Sequence, residues 1–354
     1  MLKINTFIFF LIAPFLALFL VSTDFAQASF RLNFPLSEVS REIKKIHKET
    51  EKFHEEIVVL ENQIYKFHKL AVNQKEVFNE QEHKITELSK TSDIQKKLSD
   101  DIYEQKILNM LGPAIKAHIS DKTEIKIFEL SELGYRGYIA KVKLFDPSAF
   151  KVAIAKDRVG ELEEVSSMAK RNGAILAING GGFSKIKRNG EDFIKMMGYT
   201  IVDGRLVEPF KLDPGVFFVG INRQGSVVGN IPKSKRDLFE LNPYQGVSFV
   251  PVLLKDGKKM EVPKSWKDTR HPRTIIGRYA NDDLIMIVID GRQNSWSIGV
   301  TLERLQNKLL ELGVKDAYNL DGGGSSTFYY NGEVLNKPSD GKERPVVNSI
   351  LIYP

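Results

Sequence analysis

Asn319–Thr327 reads Asn-Leu-Asp-Gly-Gly-Gly-Ser-Ser-Thr, and this stretch decides how the C-terminal part of the chain is organised. Lys315–Tyr318 before it and Phe328–Tyr330 after it predict two short strands. Three consecutive glycines permit backbone conformations that other residues avoid and let another group approach the main chain closely. Aligned amides in such a turn can bind an anion. A polar turn that merely joins two strands is the alternative, but Asp321 and the three hydroxyls favour a binding site.

The composition is that of a globular protein. The 354 residues are 42% hydrophobic and 27% charged, which is enough for one large or two modest domains. The net charge of +6 is small for this length, and no Lys/Arg tract is interleaved with aromatic residues. Nucleic-acid binding is therefore not expected. The chain has no cysteine, which excludes disulfides and thiolate sites.

The N-terminus has the pattern of a secretory leader. Lys3 precedes an uncharged apolar run, Ile4–Thr23, and Ala26-Gln27-Ala28 follows. These features predict a signal peptide over residues 1–28 that is cleaved after Ala28. An uncleaved membrane anchor is the alternative, because the run is nearly long enough to span a bilayer. Either way the rest of the chain is expected to be exported, to a periplasmic, cell-surface or secreted location.

Residues 37–111 predict a long coiled-coil helical arm. Apolar residues recur at alternating steps of three and four from Leu36 to Leu88, and the register then shifts at Ile94. A parallel homodimer is the first expectation. An intramolecular hairpin with a turn at Ser89–Asp93 is the second. The arm's histidines lie among charged positions and are expected to be surface side chains without chemistry: His47, His54, His68 and His83.

Gly112-Pro113 ends the helical pattern, and residues 112–122 predict a linker. From residue 123 to 354 the apolar residues alternate in short stretches that predict strands. One helix is predicted near residues 162–172 and another at Gly299–Leu312. The expected class is α+β, a mixed β-sheet domain with flanking helices that follows the helical arm.

Three apolar strands end in similar loops, Asn179–Gly181, Asp290–Arg292 and Asp321–Gly323. Ligand sites gather at the strand ends of layered sheets. Two of these loops contain an aspartate, and most glycoside hydrolases use a pair of carboxyl groups for catalysis. Asp321 and Asp290 are therefore the predicted catalytic pair, although Asp290 could equally be a turn residue.

Basic side chains near the same loops could hold a phosphate. Arg273, Arg292 and Arg344 can form forked, charge-assisted bonds to its oxygens. His271 could carry a proton near neutral pH, or be an ordinary loop histidine. A divalent cation could be bound by Asp321, Asp290 or Asn179, but the spacing of these residues fixes no ligand set.

Several motifs, taken in order, resemble those of the phosphodiester glycosidase domain family. They are Asn179–Phe183, Arg273–Gly277, Asp290–Arg292, Gly299–Leu302, Asn319–Ser326 and Glu343–Asn348. The resemblance covers roughly Thr123–Pro354 and leaves the helical arm outside. It implies a mixed α/β domain that hydrolyses a sugar-1-phosphodiester at the anomeric C–O bond. The pocket residues carried over by the resemblance are Asn179, Arg273, Asp290, Asp321, Gly322, Gly323, Ser325 and Arg344.

Two departures from the family bear on the substrate. Asn179 is followed by three glycines and Phe183, where family members often have a bulkier residue, and this could reshape the sugar pocket. The disulfide-bearing extensions of eukaryotic members are absent, so a glycoprotein substrate is not expected.

The resulting expectation is an exported hydrolase acting on sugar-1-phosphodiester linkages of an envelope or extracellular glycopolymer. The alternative is a non-catalytic envelope protein that binds such a polymer and assembles through its helices. The expected substrate-binding residues are Asn179, Gly180, Arg273, Thr274, Arg292, Gly322, Gly323, Gly324, Ser325, Ser326, Arg344 and His271.

Overall fold

The structure, a computed structural model, describes residues 36–188 and 191–354. The predicted signal peptide lies outside these residues. The described chain forms two compact units, one that ends at Ser92 and one that comprises Asp93–Pro354. No helix within the described ranges is both long enough and apolar enough to cross a membrane.

Helix α1 runs without a break over Leu36–Leu111, 76 residues. The alternative of a hairpin is wrong, because Ser89–Asp93 continues the helix. The pairing of this helix with another stays a prediction. Gly112 ends the helix with a left-handed φ of 80°, and its amide donates to the carbonyl of Leu108 at 2.9 Å.

The rest of the described chain contains twenty strands, all paired antiparallel, four further α-helices and three short 3₁₀-helices. The largest sheet has, in spatial order, β1 (Lys116–Ile119), β2 (Thr123–Glu132), β3 (Tyr135–Leu144), β16 (Leu284–Ile289), β15 (Arg273–Arg278), β17 (Asp316–Leu320), β13 (Val252–Lys255) and β14 (Lys258–Lys259). A second has β11 (Val227–Asn230), β10 (Phe217–Asn222), β12 (Pro243–Phe249), β8 (Ile201–Val202) and β9 (Arg205–Leu206). A third has β19 (Glu333–Val334), β18 (Phe328–Tyr330), β5 (Leu176–Asn179), β20 (Asn348–Ile352) and β4 (Phe150–Ile154). A hairpin pairs β6 (Phe183–Arg188) with β7 (Glu191–Met196), and the helices are α2 (Val165–Asn172), α3 (Lys235–Glu240), α4 (Lys264–Lys267) and α5 (Leu302–Glu311).

The largest sheet is covered on both faces, as the side chains of β16 show. Leu284, Met286 and Val288 pack against residues of the other two sheets. The alternate residues of β16 face the opposite way and pack against α5 and Ile107 near the end of α1. Successive strand side chains point to opposite faces, so a strand that is apolar throughout must lie between two layers. The α+β class is confirmed by this arrangement.

The end of helix α1 contacts the largest sheet at one end of its central strands. The Tyr103 hydroxyl accepts a hydrogen bond from the amide of Ala280 at 3.2 Å, in the turn between β15 and β16. Glu104 forms an ion pair of 2.6 Å with Lys141, and the Lys141 side chain also pairs with Asp283. Lys141 and Asp283 are both buried, so this edge depends on charge pairing within the protein.

The predicted loops lie at the opposite ends of the central strands of the same sheet. β15 begins at Arg273, which lies opposite Ile289 at the end of β16. On its other side Thr274 lies opposite Leu320 at the end of β17. Because β15 is antiparallel to both neighbours, its first residue and the loops that follow the neighbours meet at one edge.

Candidate functional site

A cavity of about 300 Å³ opens at the edge where β15 begins. Its wall combines basic groups, one carboxylate, two glycines and two aromatic rings. The lining residues are Phe249, Trp266, Thr269, His271, Arg273, Arg292, Asn319, Asp321, Gly322, Gly323 and Arg344. They come from five separate stretches of the sequence, and the antiparallel order of β16, β15 and β17 brings three of these together.

Asn179 fixes the position of the Asp321 turn from behind the cavity wall. Its side chain is fully buried at the end of β5, and its amide Nδ2 donates to the carbonyl of Asp321 at 2.6 Å. Its Oδ1 accepts from the Thr274 hydroxyl at 2.7 Å and from the Thr327 amide at 3.2 Å. The Asp321 amide in turn donates to the carbonyl of Gly180 at 3.2 Å. Asn179 therefore ties two sheets together beneath Asp321.

The carboxyl group of Asp321 binds protons more tightly than an exposed aspartate. Burial raises its pKa to about 6, and hydrogen bonds from Ser325 and the Gly322 amide, with the charge of Arg344, oppose that rise. The Gly322 amide lies 3.0 Å from Oδ1. Near neutral pH the group is mostly ionised but readily protonated.

Arg273 is the buried cation of the cavity. Its Nη2 donates to the carbonyl of Thr269 at 2.9 Å, and its Nε to the carbonyl of Val300 at 3.3 Å. Burial, and then the charge of Arg292, lower the pKa of Arg273 to about 10. Among the described residues neither Arg273 nor Arg292 forms an ion pair with a carboxylate. Arg344 pairs with Asp340 at 2.8 Å.

The triple glycine makes room for two of these guanidinium groups. A Cβ on Gly323 would lie 3.1 Å from Nη2 of Arg292, and a Cβ on Gly324 would lie 2.1 Å from Nη2 of Arg344. The amides of Gly322 and Gly323 donate within the protein, to Asp321 Oδ1 and to the Pro272 carbonyl. These two amides are thus occupied in this structure, and anion binding by the glycine amides of the turn stays a prediction. The glycines also let basic side chains lie against the backbone.

His271 and Arg292 contact each other at the cavity wall. Arg292 Nη2 lies 3.3 Å from His271 Nδ1. A guanidinium only donates hydrogen bonds, so Nδ1 accepts and the imidazole proton is on Nε2. Burial, followed by the charges of Arg273 and Arg292, lowers the pKa of His271. His271 is therefore neutral at physiological pH. Arg292 has a left-handed φ of 62°, a conformation that side-chain-bearing residues seldom adopt.

Four further lining residues were absent from the predicted set of site residues: Asn319, Phe249, Trp266 and Thr269. Asn319 is buried, its Nδ2 donates to the Val250 carbonyl at 2.7 Å, and its Oδ1 has no partner within the described chain. Phe249 and Trp266 form an aromatic wall, with ring centroids 6.0 Å apart. A Cβ on Gly182 would lie 2.4 Å from the Phe249 ring. The ring can pack in this position because the third residue after Asn179 is a glycine.

Asp290 is not among the residues that line the cavity. Its Oδ2 accepts from Trp296 Nε1 at 2.8 Å, and its Oδ1 accepts from Asn336 Nδ2 and from the Lys337 amide, both at 3.0 Å. Burial raises its pKa, although these hydrogen bonds oppose the rise. Both carboxylate oxygens are thus used to hold loops together. The structure does not bring Asp290 and Asp321 together as a pair lining the cavity.

The predicted residues therefore fall into three groups. The cavity is lined by Asp321, Arg273, Arg292, Arg344, His271, Gly322 and Gly323. Behind its wall lie Asn179, Gly180, Thr274, Gly324, Ser325 and Ser326, of which Ser325 donates to Asp321. Asp290 does not line the cavity, and Asn336 Nδ2 bridges its Oδ1 and the Ser326 carbonyl. No cluster of three or more His, Asp or Glu side chains within residues 36–188 and 191–354 could hold a metal ion.

Comparisons with known proteins identify relatives of this chain. A protein of Bacillus subtilis (strain 168), the SPbeta prophage-derived YomE, is 34% identical over 208 residues, which are 54% of this chain and 30% of that protein. Mouse N-acetylglucosamine-1-phosphodiester alpha-N-acetylglucosaminidase is 30% identical over 192 residues, 50% of this chain and 35% of that enzyme. The chain thus spans about a third of the length of these relatives.

A solved structure shares the fold. It is the catalytic domain of the zebrafish N-acetylglucosamine-1-phosphodiester alpha-N-acetylglucosaminidase, auto-inhibited by its pro-peptide. The match has a TM-score of 0.55 at 25% identity and covers 68% of this chain and 87% of that one. The sequence model of the phosphodiester glycosidase family matches residues 172–353, more than half of the chain and the whole of the Asp321 region. The chain belongs to the phosphodiester glycosidase family.

Proposed function

We propose that this chain is an exported hydrolase that cleaves the anomeric C–O bond of a sugar-1-phosphodiester in an envelope or extracellular glycopolymer. The observation that carries the proposal is the content of the cavity: three guanidinium groups around a single carboxylate whose pKa is raised to about 6. Export is supported by the leader-like sequence of residues 1–28, and hydrolysis of this linkage by the family to which the chain belongs.

The basic side of the cavity suits a phosphodiester. Arg273 and Arg292 lack a carboxylate partner among the described residues, and an anionic ligand would supply the missing charge. Guanidinium groups match phosphate oxygens with paired donors. His271 is neutral, so it adds an Nε2–H donor to the cavity and no further charge. When the C–O bond breaks, the electron pair stays on the phosphate oxygen, and these cations stabilise the phosphate monoester that leaves.

The aromatic side suits the sugar. Trp266 and Phe249 offer an apolar wall, and the unpartnered Oδ1 of Asn319 can accept a hydrogen bond from a sugar hydroxyl or amide. Binding sites commonly combine an apolar wall with a few fixed polar groups that orient the ligand. A sugar placed here would have its anomeric carbon between the aromatic wall and the guanidinium groups.

Asp321 is the proposed catalytic carboxylate. At pH 7 it is mostly ionised, and it can supply electrons to the anomeric carbon either directly as nucleophile or by taking a proton from an attacking water. A phosphate monoester held by cations is a good leaving group and needs no second carboxylic acid. One carboxylate is therefore enough for this linkage, whereas an ordinary glycoside requires two.

The test is hydrolysis of a panel of synthetic sugar-1-phosphodiesters, starting with N-acetylglucosamine because relatives named for that sugar exist. In water labelled with ¹⁸O, we expect the label in the released sugar, which marks C–O cleavage. Asp321→Asn should abolish turnover, while Asp268→Asn, an exposed aspartate at the end of α4, should not. Label in the phosphate would overturn the bond assignment. Binding of the whole panel without turnover would instead support a glycopolymer-binding protein.

A further inference from the structure

Two cations lie against the indole ring of Trp296, outside the cavity. Lys337 Nζ is 3.6 Å from the ring centroid, and the guanidinium carbon of Arg136 is 4.6 Å from it. Both basic residues are exposed. Cations are attracted to the face of an aromatic ring, so the ring keeps these two charges close together although they repel each other. Arg136, Trp296 and Lys337 are called the Trp296 cluster below.

The buried carboxylate of Asp290 holds this cluster in place. Its Oδ2 accepts from Trp296 Nε1, and its Oδ1 accepts from the backbone amide of Lys337. The amide of Asp290 donates to the carbonyl of Arg136 at 2.9 Å. Ser297 adds a further link, because its Oγ accepts from the Arg136 amide at 3.1 Å and donates to the Asp290 carbonyl at 2.6 Å. The backbone positions of both cations and the orientation of the ring are therefore fixed by the fold.

The two cations of the cluster lack an anionic partner. Neither Arg136 nor Lys337 forms an ion pair with a carboxylate in the part of the chain that the structure describes. Glu129 lines the cleft of about 50 Å³ between Arg136 and Trp296, but it is exposed and makes no such pair. Asp290 is the other acid nearby, and its oxygens already accept three hydrogen bonds. Two cations fixed near each other can bind a phosphate through charge-assisted hydrogen bonds.

The cluster and the cavity share two loops. Arg292 lines the cavity and precedes Trp296 in the loop after β16. Arg344 lines the cavity and follows Lys337 in the loop after β19. The side chain of Gln293 joins the two loops, since its Nε2 donates to the carbonyl of Lys337 at 3.1 Å. A ligand that contacts Arg292 and Arg344 can therefore continue along the same loops to the cluster.

The proposed function gives the direction in which the substrate continues. The sugar packs against Trp266 and Phe249, and its phosphate contacts guanidinium groups that include Arg292 and Arg344. The remainder of the polymer is attached to that phosphate, so it extends from the side of the cavity that the two shared loops form. A polymer whose units are joined by phosphodiesters carries a further negative charge at each unit along this path.

We propose that the Trp296 cluster binds a second phosphate of the same polymer, beyond the bond that is cleaved. This rests on the proposed function and narrows the substrate to glycopolymers with repeated phosphodiester linkages. The second phosphate keeps its charge throughout the reaction, so its contacts should lower KM and leave kcat unchanged. The contacts are between exposed charges, and added salt should therefore weaken them.

The test compares N-acetylglucosamine-1-phosphoglycerol with the same compound extended by one to three glycerol phosphate units. We expect the KM of the full chain to fall about fivefold once an added phosphate reaches the cluster, because two exposed charge contacts are gained. Extension by uncharged glycerol ethers of equal length should give no such fall. Arg136→Ala/Lys337→Ala should abolish the fall in KM and leave the kinetics of the shortest substrate unchanged.

The matched control is Arg223→Ala/Lys235→Ala. It also removes an exposed arginine and an exposed lysine that lie over aromatic rings, and neither residue lines the cavity. This variant should keep the fall in KM. An equal fall in the two double variants, a fall with the uncharged extension, or no fall in the parent would each overturn the second phosphate site.

The proposed function is judged separately, by turnover of the shortest substrate. If the chain hydrolyses no member of the series, calorimetric binding of the same compounds decides about the cluster. A dissociation constant that falls with the added phosphate in the parent, but not in Arg136→Ala/Lys337→Ala, would support the second phosphate site. A dissociation constant that is the same for all members of the series would overturn it.

Discussion

The side-chain amide of Asn179 donates to the backbone carbonyl of Asp321 at 2.6 Å, across 142 positions of sequence. This single contact joins the end of β5 in one sheet to the turn after β17 in another. The catalytic candidate is therefore held by its backbone, which leaves its carboxylate to face the cavity. Positioning of this kind keeps reacting groups fixed before the substrate arrives.

The pH dependence of catalysis should follow the ionisation of Asp321. Its pKa is raised to about 6, and the proposed role requires the ionised form. We expect kcat/KM to fall about tenfold per pH unit below pH 6 and to be level above it, as for a single titrating group. Initial rates on a sugar-1-phosphodiester between pH 4.5 and 8 measure this profile. Activity that is highest below pH 6 would show that Asp321 acts as an acid instead.

Stability should depend on the same carboxylate with the opposite sign. Because its pKa is higher in the folded chain than in the unfolded chain, the folded chain holds the proton more tightly between pH 4 and 6. Stability from this group is present at low pH and is lost as the pH rises to 6. Asp321→Asn removes this loss. The Tm of the variant minus the Tm of the parent should therefore increase from pH 4 to pH 7. A constant difference across this range would contradict the raised pKa.

Asp290→Ala should damage the fold more than the chemistry. The change removes the acceptor of Trp296 Nε1 and of the Lys337 amide, and one of the two acceptors of Asn336 Nδ2. We expect the free energy of unfolding in urea to fall by about 3 kcal/mol, because three hydrogen bonds to a buried carboxylate are lost. At a temperature where the variant stays folded, kcat should change by only a few fold. A thousandfold loss in a folded variant would restore Asp290 to the catalytic pair.

Gly324→Ala should weaken substrate binding through Arg344. The added methyl group would lie 2.1 Å from Nη2 of Arg344, so the guanidinium must move away. We expect KM to rise about tenfold with kcat nearly unchanged, because a contact to the phosphate is lost in ground and transition state alike. The control is the same glycine change made in an Arg344→Ala background. There it should have no further effect on KM, and an additive effect would contradict the mechanism.

Asn319→Ala should lower kcat/KM about tenfold or more, if its unpartnered Oδ1 accepts a hydrogen bond from the sugar. The matched control is Gln306→Ala. Gln306 is also a buried amide, but it donates to the carbonyls of Leu253 and Met260 outside the cavity. Its loss should lower Tm and leave KM unchanged. Equal kinetic effects of the two substitutions would indicate that Asn319 serves only the fold.

The sequence predicts the elements of this domain better than the partners of its side chains. The apolar runs at Leu284–Ile289 and Ala174–Ile178 indicate buried strands, and the structure has strands at Leu284–Ile289 and Leu176–Asn179. Arg273, Arg292 and the Asp321 turn were expected near each other because strand ends gather, and the alternating strand directions bring them to one edge. These features depend on short-range pattern and on simple sheet geometry.

Asp290 and Asp321 show what the sequence does not reveal. Each follows an apolar strand and precedes glycine, so local pattern cannot separate them. Their difference comes from remote residues, since Asn336 and Trp296 occupy the oxygens of Asp290 while Arg344 faces Asp321. Asn319 was not predicted as a site residue because it lies inside strand β17. Its polarity within a buried strand and its place at the start of the Asn319–Ser326 motif were the available signals.

The attachment of helix α1 at Ala280 and the cavity at Arg273 lie at opposite ends of the same short strand. The cavity is therefore at the far end of β15 from the contact between the domain and helix α1. A helix of different length, or with a different partner, could be attached at the Ala280 end without a change in the cavity residues at the other end of the strand. In this architecture, the site where the helix is attached and the residues that line the cavity are free to evolve independently.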